Sequence, residues 1–290
     1  MPDGILIIDK PTDWTSMDVC AKLRGVFHEK RIGHGGTLDP MATGVLPVFI
    51  GRATRAVEFA EKADKEYIAT LRPGIVTDTQ DSTGRILEKH PGSISIQDLE
   101  SVLPQFTGAI SQIPPMYSAI KIDGKKLYQL ARKGREIERP ARSITIHELE
   151  IMDGPTESGE YLLRVRCSKG TYIRTLCHDI GQALGCGAVM SGLRRSMACG
   201  YSLAQSFTLE QVLQAEDPTA LLLPIDSFFS VHPSLRISAA AEKKVRNGAS
   251  VTIPDLADGV YRVYGPEGSF LALSQSTQTK VTTIKSFFNV

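Results

Sequence analysis

The chain has 290 residues, 42% of them hydrophobic and 22% charged, with a formal net charge of +1 at pH 7. That length accommodates one sizeable domain plus a smaller one. No stretch nears the roughly 18 uninterrupted apolar residues of a membrane helix. Met-Pro-Asp-Gly has neither the basic nor the apolar region of a secretory signal, so a cytoplasmic protein is expected.

The apolar run Ile5 to Ile8 reads as a buried strand, followed by the turn Lys10-Pro11-Thr12-Asp13. Thr15 and Asp18 have capping-box spacing, and Val19, Leu23, Val26 and Phe27 recur at helical intervals, which predicts a helix over 16–28. Gly33-His34-Gly35-Gly36-Thr37-Leu38-Asp39-Pro40 is too rich in glycine for a regular helix and is predicted as a shaped loop. A strand over 45–50, a helix over 54–62 and a strand over 67–71 follow. Ser95 and Asp98 open a helix that ends near Phe106.

Further on, Leu163, Val165 and Cys167 alternate with arginines as in a half-buried strand. Ile173, Leu176, Cys177, Ile180 and Leu184 form one face of a helix, and Thr208 with Gln211 starts another. Elements of both kinds mix without regular alternation, so the expected class is α+β with a largely antiparallel sheet. Pro224 to Pro233 marks a change of domain. Residues 1–230 are expected to form the main domain and 231–290 a small β-rich module, with a helix over 238–247 and strands over 260–264 and 270–273.

The five cysteines, Cys20, Cys167, Cys177, Cys186 and Cys199, are odd in number and lack Cys-x-x-Cys spacing. They read as reduced thiols, without zinc or a disulfide framework. Charge clusters in one place. Lys121, Lys125, Lys126, Arg132, Lys133, Arg135, Arg139 and Arg142 outnumber Asp123, Glu136 and Glu138, giving either a phosphate-contacting segment or an ordinary solvated face.

Asp39 is the candidate for chemistry. Pro40 biases it toward extended backbone, and the neighbouring glycines leave the loop open to another chain. A preset carboxylate of this kind fits a nucleophile or general base, although Leu-Asp-Pro taken alone is a common turn sequence and fits an Asx-turn better.

The fourteen positions from Gly33 to Leu46 closely resemble the catalytic motif of the TruB family of tRNA pseudouridine synthases. Four further segments resemble family motifs in the family's order. They are Ile8-Asp9-Lys10-Pro11-x-x-Trp14-Thr15-Ser16, then Lys65-Glu66-Tyr67 with Thr77 to Asp81, then Ser168 to Leu176, and Gly192-Leu193-Arg194-Arg195. Asp13 stands where the family usually has glycine, and Arg72-Pro73-Gly74 where it usually has Leu-Gly.

The resemblance implies the pseudouridine synthase fold with a short PUA-like RNA-binding module, and isomerisation of one uridine in the T loop of tRNA. It implies Asp39 as catalytic carboxylate, Arg174 as its ion partner with Asp81 as second partner of that arginine, and Tyr67 stacking on the flipped uracil, with a further role of taking up the C5 proton either directly or through water. His34 would intrude into the T loop and aid base flipping. Tyr172 and Leu193 would line the pocket, and Lys10 with Pro11 would brace the loop. The 121–142 stretch falls where the family inserts a mobile segment that closes on RNA and orders on binding.

Breaking and remaking a glycosidic bond within one nucleotide needs no redox step or group donor. No cofactor and no metal are expected, in keeping with a chain that lacks a phosphate loop or a dinucleotide fingerprint. The expected partner is the T arm of tRNA, bound by a monomer without guide RNA or membrane. Rival readings are a guide-RNA-dependent pseudouridine synthase subunit, a tRNA-folding chaperone, and a metal-dependent hydrolase using His34, Asp39, Asp78 and Asp81.

Overall fold

The computed structural model describes residues 2–90, 93–118, 120–122 and 124–288. Met1, and Asp123 of the basic stretch, lie outside the described residues. The chain begins with β1 (Gly4–Lys10), α1 (Ser16–Phe27), β2 (Ile32–His34), β3 (Thr43–Ile50), α2 (Val57–Ala60) and β4 (Lys65–Pro73). A small hairpin, β5 (Ile75–Thr77) and β6 (Ile86–Lys89), precedes α3 (Ile96–Val102) and β7 (Gly108–Gln112). The basic stretch contains a second hairpin, β8 (Lys121–Ile122) with β9 (Lys125–Lys126), and the short helix α4 (Leu127–Ala131). Then come β10 (Arg142–Asp153), β11 (Tyr161–Cys167), α5 (Ile173–Ala183), β12 (Ala188–Ala198), β13 (Tyr201–Ser202) and α6 (Leu209–Gln214). The last elements are β14 (Ser234–Arg236), α7 (Ala239–Arg246), β15 (Val251–Thr252), β16 (Gly259–Tyr264), β17 (Phe270–Thr277) and β18 (Lys280–Ser286).

The expected α+β class is what the structure shows. A nine-stranded sheet runs in the order β1-β3-β12-β4-β11-β10-β7, with β2 added to β3 and β13 to β12. Its pairings are antiparallel except one, a short parallel contact of β12 with β3 through Arg194–Thr43 and Arg195–Gly44. The local helix signals act as read. Thr15 and Ser95 close capping boxes at the starts of α1 and α3, and Thr208 does so at α6.

Two expectations need correction. The helix over 54–62 is a 3-10 turn, Gly51–Ala56, continuing into only four α-helical residues. Gly51 has φ +61°, and Asp3 takes hydrogen bonds from Arg52 N and Nε, so this turn is fastened to the N-terminus rather than wound regularly. Gly33 and His34 are not loop residues. They form an edge strand whose ladder with Phe49 and Val48 holds them against β3.

Strand β1 is buried on both faces. Leu6 and Ile8 pack with Val19, Leu23, Leu46 and Val212 on the α1 side. Ile5 and Ile7 face a second cluster with Val45, Phe49, Phe229, Leu273 and Phe287. A third cluster lies between the sheet and α5, where Tyr67, Ala69, Leu71 and Val165 meet Leu176, Cys177 and Ile180. At roughly 25 cal/mol per Å² of apolar surface, such burial is the main stabilising term.

Strands β14-β16-β17-β18-β15 make a separate five-stranded sheet with α7 against it. The turn Ile225–Phe229 leads into it and contributes Phe228 and Phe229 to rings shared with Phe49, Phe59, Phe270 and Phe287.

Candidate active site

The loop between β2 and β3 carries Asp39, and it is fastened on both sides of that residue. Leu38 N donates to Ser16 Oγ at 2.9 Å, while Ser16 Oγ donates to Leu38 O at 3.3 Å. Pro40 O accepts from Asp13 N at 2.9 Å and from Lys10 Nζ at 3.2 Å. Lys10 also donates to Pro11 O at 2.7 Å and Trp14 O at 2.6 Å, so one fully buried ammonium gathers three carbonyls beneath the loop. Gly36 and Gly44, with φ of +117° and +104°, let the chain enter and leave this bend in the left-handed region. At Gly44 a Cβ would lie 2.2 Å from the Arg195 carbonyl oxygen, so the close approach of β3 to β12 needs glycine as well.

Arg174 sits in the first turn of α5, whose buried face of Ile173, Leu176 and Cys177 fixes it against the sheet. Its side chain is 8% exposed, and the Asp39 carboxyl is 36% exposed. Nε meets Asp39 Oδ2 at 3.0 Å, and Nη1 meets Asp81 Oδ2 at 3.4 Å. Nη1 further donates to Thr79 O at 3.4 Å and Nη2 to Tyr117 O at 3.0 Å. The start of α5 has no side-chain cap of its own. Gln112 supplies the bonds instead, accepting from Tyr172 N at 2.8 Å and donating to Tyr172 O at 3.1 Å.

Asp81 is fixed from its other side. Oδ1 accepts from Thr79 Oγ1 at 2.8 Å, Thr83 N at 3.0 Å and Thr83 Oγ1 at 2.6 Å. The guanidinium thus lies between a half-open carboxylate and a closed, fully bonded one. Burial raises the pKa of Asp39 above the ordinary carboxylate value, Arg174 and Lys10 pull it down, and Asp81 pushes it up.

Asp39, Tyr67, Asp81, Tyr172, Arg174 and Leu193 all line one cavity of about 820 Å³. Burial raises the phenol of Tyr67, with the Arg195 guanidinium opposing, and burial likewise raises Tyr172. His34 and Lys10 are not on the cavity wall. His34 lies at the end of β2, where burial and Arg195 lower its pKa and its Nδ1 has no partner. His34, Asp39, Asp78 and Asp81 do not converge as ligands, and among the described residues no group of three or more His, Cys, Asp or Glu does.

The cavity wall also contains Lys65, Tyr117, Tyr128, Arg132 and Arg195, to which sequence reasoning assigned no individual role. The basic stretch reaches the rim through Tyr128 and Arg132, with the Arg132 guanidinium 5.3 Å from the Tyr128 ring centroid. Arg195 becomes recognisable only once β12 is known to be a strand. In a strand, residues two apart share a face, so Leu193 and Arg195 both reach the cavity while Arg194 points away to Asp9 at 2.7 Å.

The fold of this chain has structural counterparts among solved proteins. The solved H/ACA RNP bound to a substrate RNA containing 2'-deoxyuridine superposes with a TM-score of 0.74 at 25% identity, covering 99% of this chain and 85% of that one. The model of the TruB family pseudouridylate synthase N-terminal domain matches residues 24–173, and that of the tRNA pseudouridylate synthase B C-terminal domain matches 174–230. The tRNA pseudouridine synthase B of Syntrophomonas wolfei subsp. wolfei is 44% identical over 286 residues, covering 97% of this chain and 96% of the relative. That of Clostridium kluyveri is 39% identical over 290 residues, covering 98% and 99%. The chain belongs to the TruB family of pseudouridylate synthases.

Proposed function

We propose that this protein isomerises a T-loop uridine of tRNA to pseudouridine, with Asp39 as its catalytic carboxylate. The observation that carries the reading is the 3.0 Å pairing of Asp39 with Arg174 on the wall of a cavity that also holds Tyr67. The near full-length relatives named tRNA pseudouridine synthase B supply the substrate class.

The reaction breaks N1–C1′, turns the uracil and rejoins it through C5. Attack by Asp39 at C1′, attack at C6 and deprotonation at C2′ share one requirement, an ionised carboxylate in a site poor in water. Arg174 meets it by opposing the effect of burial on Asp39. Tyr67 stacks on the uracil and accepts the C5 proton, and Tyr172 and Leu193 enclose the base. Extruding the uridine from its loop costs a few kcal/mol, which pocket contacts and insertion of His34 into the vacated stack offset. Lys10 acts from behind the wall, holding the loop at Pro40.

Residues 1–230 form the catalytic body in this reading, and 231–290 a PUA-like module that touches RNA. The 121–142 segment contacts tRNA phosphates. The enzyme works as a cytoplasmic monomer, without guide RNA, cofactor or metal.

The test is incubation with unmodified tRNA, free of additives, followed by base-resolved mapping of pseudouridine. A single T-loop conversion is expected. Asp39→Asn is expected to lose conversion while still binding tRNA, and comparable turnover by that variant would overturn the proposed chemistry. A strict need for guide RNA would move the chain to the other functional class.

A further inference from the structure

Arg195 is only 1% exposed, yet among the described residues no carboxylate lies within ion-pair distance of it. A desolvated cation without an acid is costly, and buried arginines are ordinarily matched. Here Nε donates to Val45 O at 2.7 Å and Nη2 to Gly36 O at 3.2 Å, both neutral acceptors. The other buried cations nearby, Lys10 and Lys65, are likewise satisfied by carbonyls. The acids near this collar, Asp13 and Asp18 by Lys10, Asp64 by Lys65 and Glu61 by His34, make no ion pair with Arg195, whose side chain faces the cavity.

Arg195 stands directly opposite Tyr67 in the β12–β4 ladder, and a bulge follows it immediately. Directly paired residues leave the same face of a sheet, and both side chains reach the cavity. The other charged or titratable groups facing the phenol are Asp39 in the loop and Cys167 on β11. Arg195 in turn faces Lys10, Lys65, His34 and Cys199.

We propose that Arg195 is the positioning residue for Tyr67, its guanidinium serving as the counter-ion that lets the Tyr67 oxygen take the C5 proton of the rejoined uracil. This rests on the function proposed above. In that step the C5–H bond breaks and its electron pair restores the ring double bond. The phenolate gains the proton, and the new O–H is returned to water before the next turnover. Burial alone drives the phenol toward staying protonated, and the arginine opposite counters this.

The experiment compares single-turnover conversion of saturating tRNA across pH for wild type, Arg195→Lys and Arg195→Gln, with tRNA affinity and melting temperature measured alongside. Arg195→Gln is expected to slow conversion by about 10²-fold, the ordinary size of a general-base contribution. The ascending limb of its pH profile, where the phenol ionises to the active base, is expected to move up by about one pH unit or more. Arg195→Lys is expected to keep the limb near its wild-type position. A slower Gln variant with an unshifted profile would mean that the fork only braces Val45 and Gly36, and would overturn the proposal.

Should the Gln variant fail to fold, the profile is read on wild type and Arg195→Lys carrying fluorotyrosine at position 67. The more acidic phenol must then move the limb down in both, and an unmoved limb rejects the idea. Absence of conversion by wild type itself would instead remove the underlying functional reading.

Discussion

Asp39 and Lys10 are each held at a cost that the rest of the loop offsets. Burial raises the Asp39 pKa above the ordinary 3.8. A raised folded-state pKa means that the native protein binds this proton more readily than the unfolded chain does. Its favourable contribution is complete below pH 3.8 and is lost as pH rises through the folded value. Asp39→Asn should therefore melt no lower than wild type at pH 7, and any advantage should shrink toward pH 4, as calorimetry at the two pH values will show. Lys10 is the opposite case, lowered by burial from 10.5 to about 8. Between those values the unfolded chain holds the proton more tightly, so stability rises with pH across that window. Measured against Lys10→Met, the wild type should gain about 1–3 kcal/mol from pH 8 to pH 10.5, after allowance for solvent screening. Denaturant titrations of both proteins at each pH check it.

At the scale of elements, the loop depends on how β3 meets β12. Gly44 has φ +104° and lies where a Cβ would strike the Arg195 backbone. Gly44→Ala should cost at least about 2 kcal/mol, from strain in the left-handed region plus the displaced contact. It should also reduce conversion far more than a surface glycine change does, a difference that chemical denaturation and the tRNA assay measure together. Much at this scale was legible. Helices announced by Thr15 with Asp18, Ser95 with Asp98 and Thr208 with Gln211 are where their capping boxes put them, because a cap is settled within four residues. Strands β10 and β12 were not foreseen, since their place depends on partners elsewhere in the chain, β7 some 30 to 38 residues earlier for β10 and β4 115 to 133 residues earlier for β12. His34 was misplaced for the same reason: its glycine neighbours suggest a loop, and only β3 makes them a strand. Asp39, Tyr67 and Arg174 could be singled out from motifs, but Arg195 acquires a partner only when β12 lies beside β4. The departure at Asp13 has a plain geometry. Its φ is +63°, a region that glycine enters freely and aspartate tolerates at modest cost.

For the whole molecule, the two sheets share one aromatic core. Phe229 is 3% exposed and its ring lies 5.0 to 6.3 Å from those of Phe59, Phe228, Phe270 and Phe287. Phe229→Ala should cost about 3–5 kcal/mol through the cavity it leaves. It should also separate the unfolding of residues 234–286 from that of the main sheet, giving two calorimetric transitions where the wild type gives one. Arg55 reinforces the joint by donating to Ser286 O at 3.0 Å and Phe288 O at 3.2 Å.

Rings interlocked in this way tie the second sheet to the body that carries the cavity, so the expected behaviour is that of a calliper rather than a hand. A stem-and-loop that sets its base beside Asp39 and also touches the far sheet must have the right length already. One helical step too short or too long, and it has to give up one of the two grips.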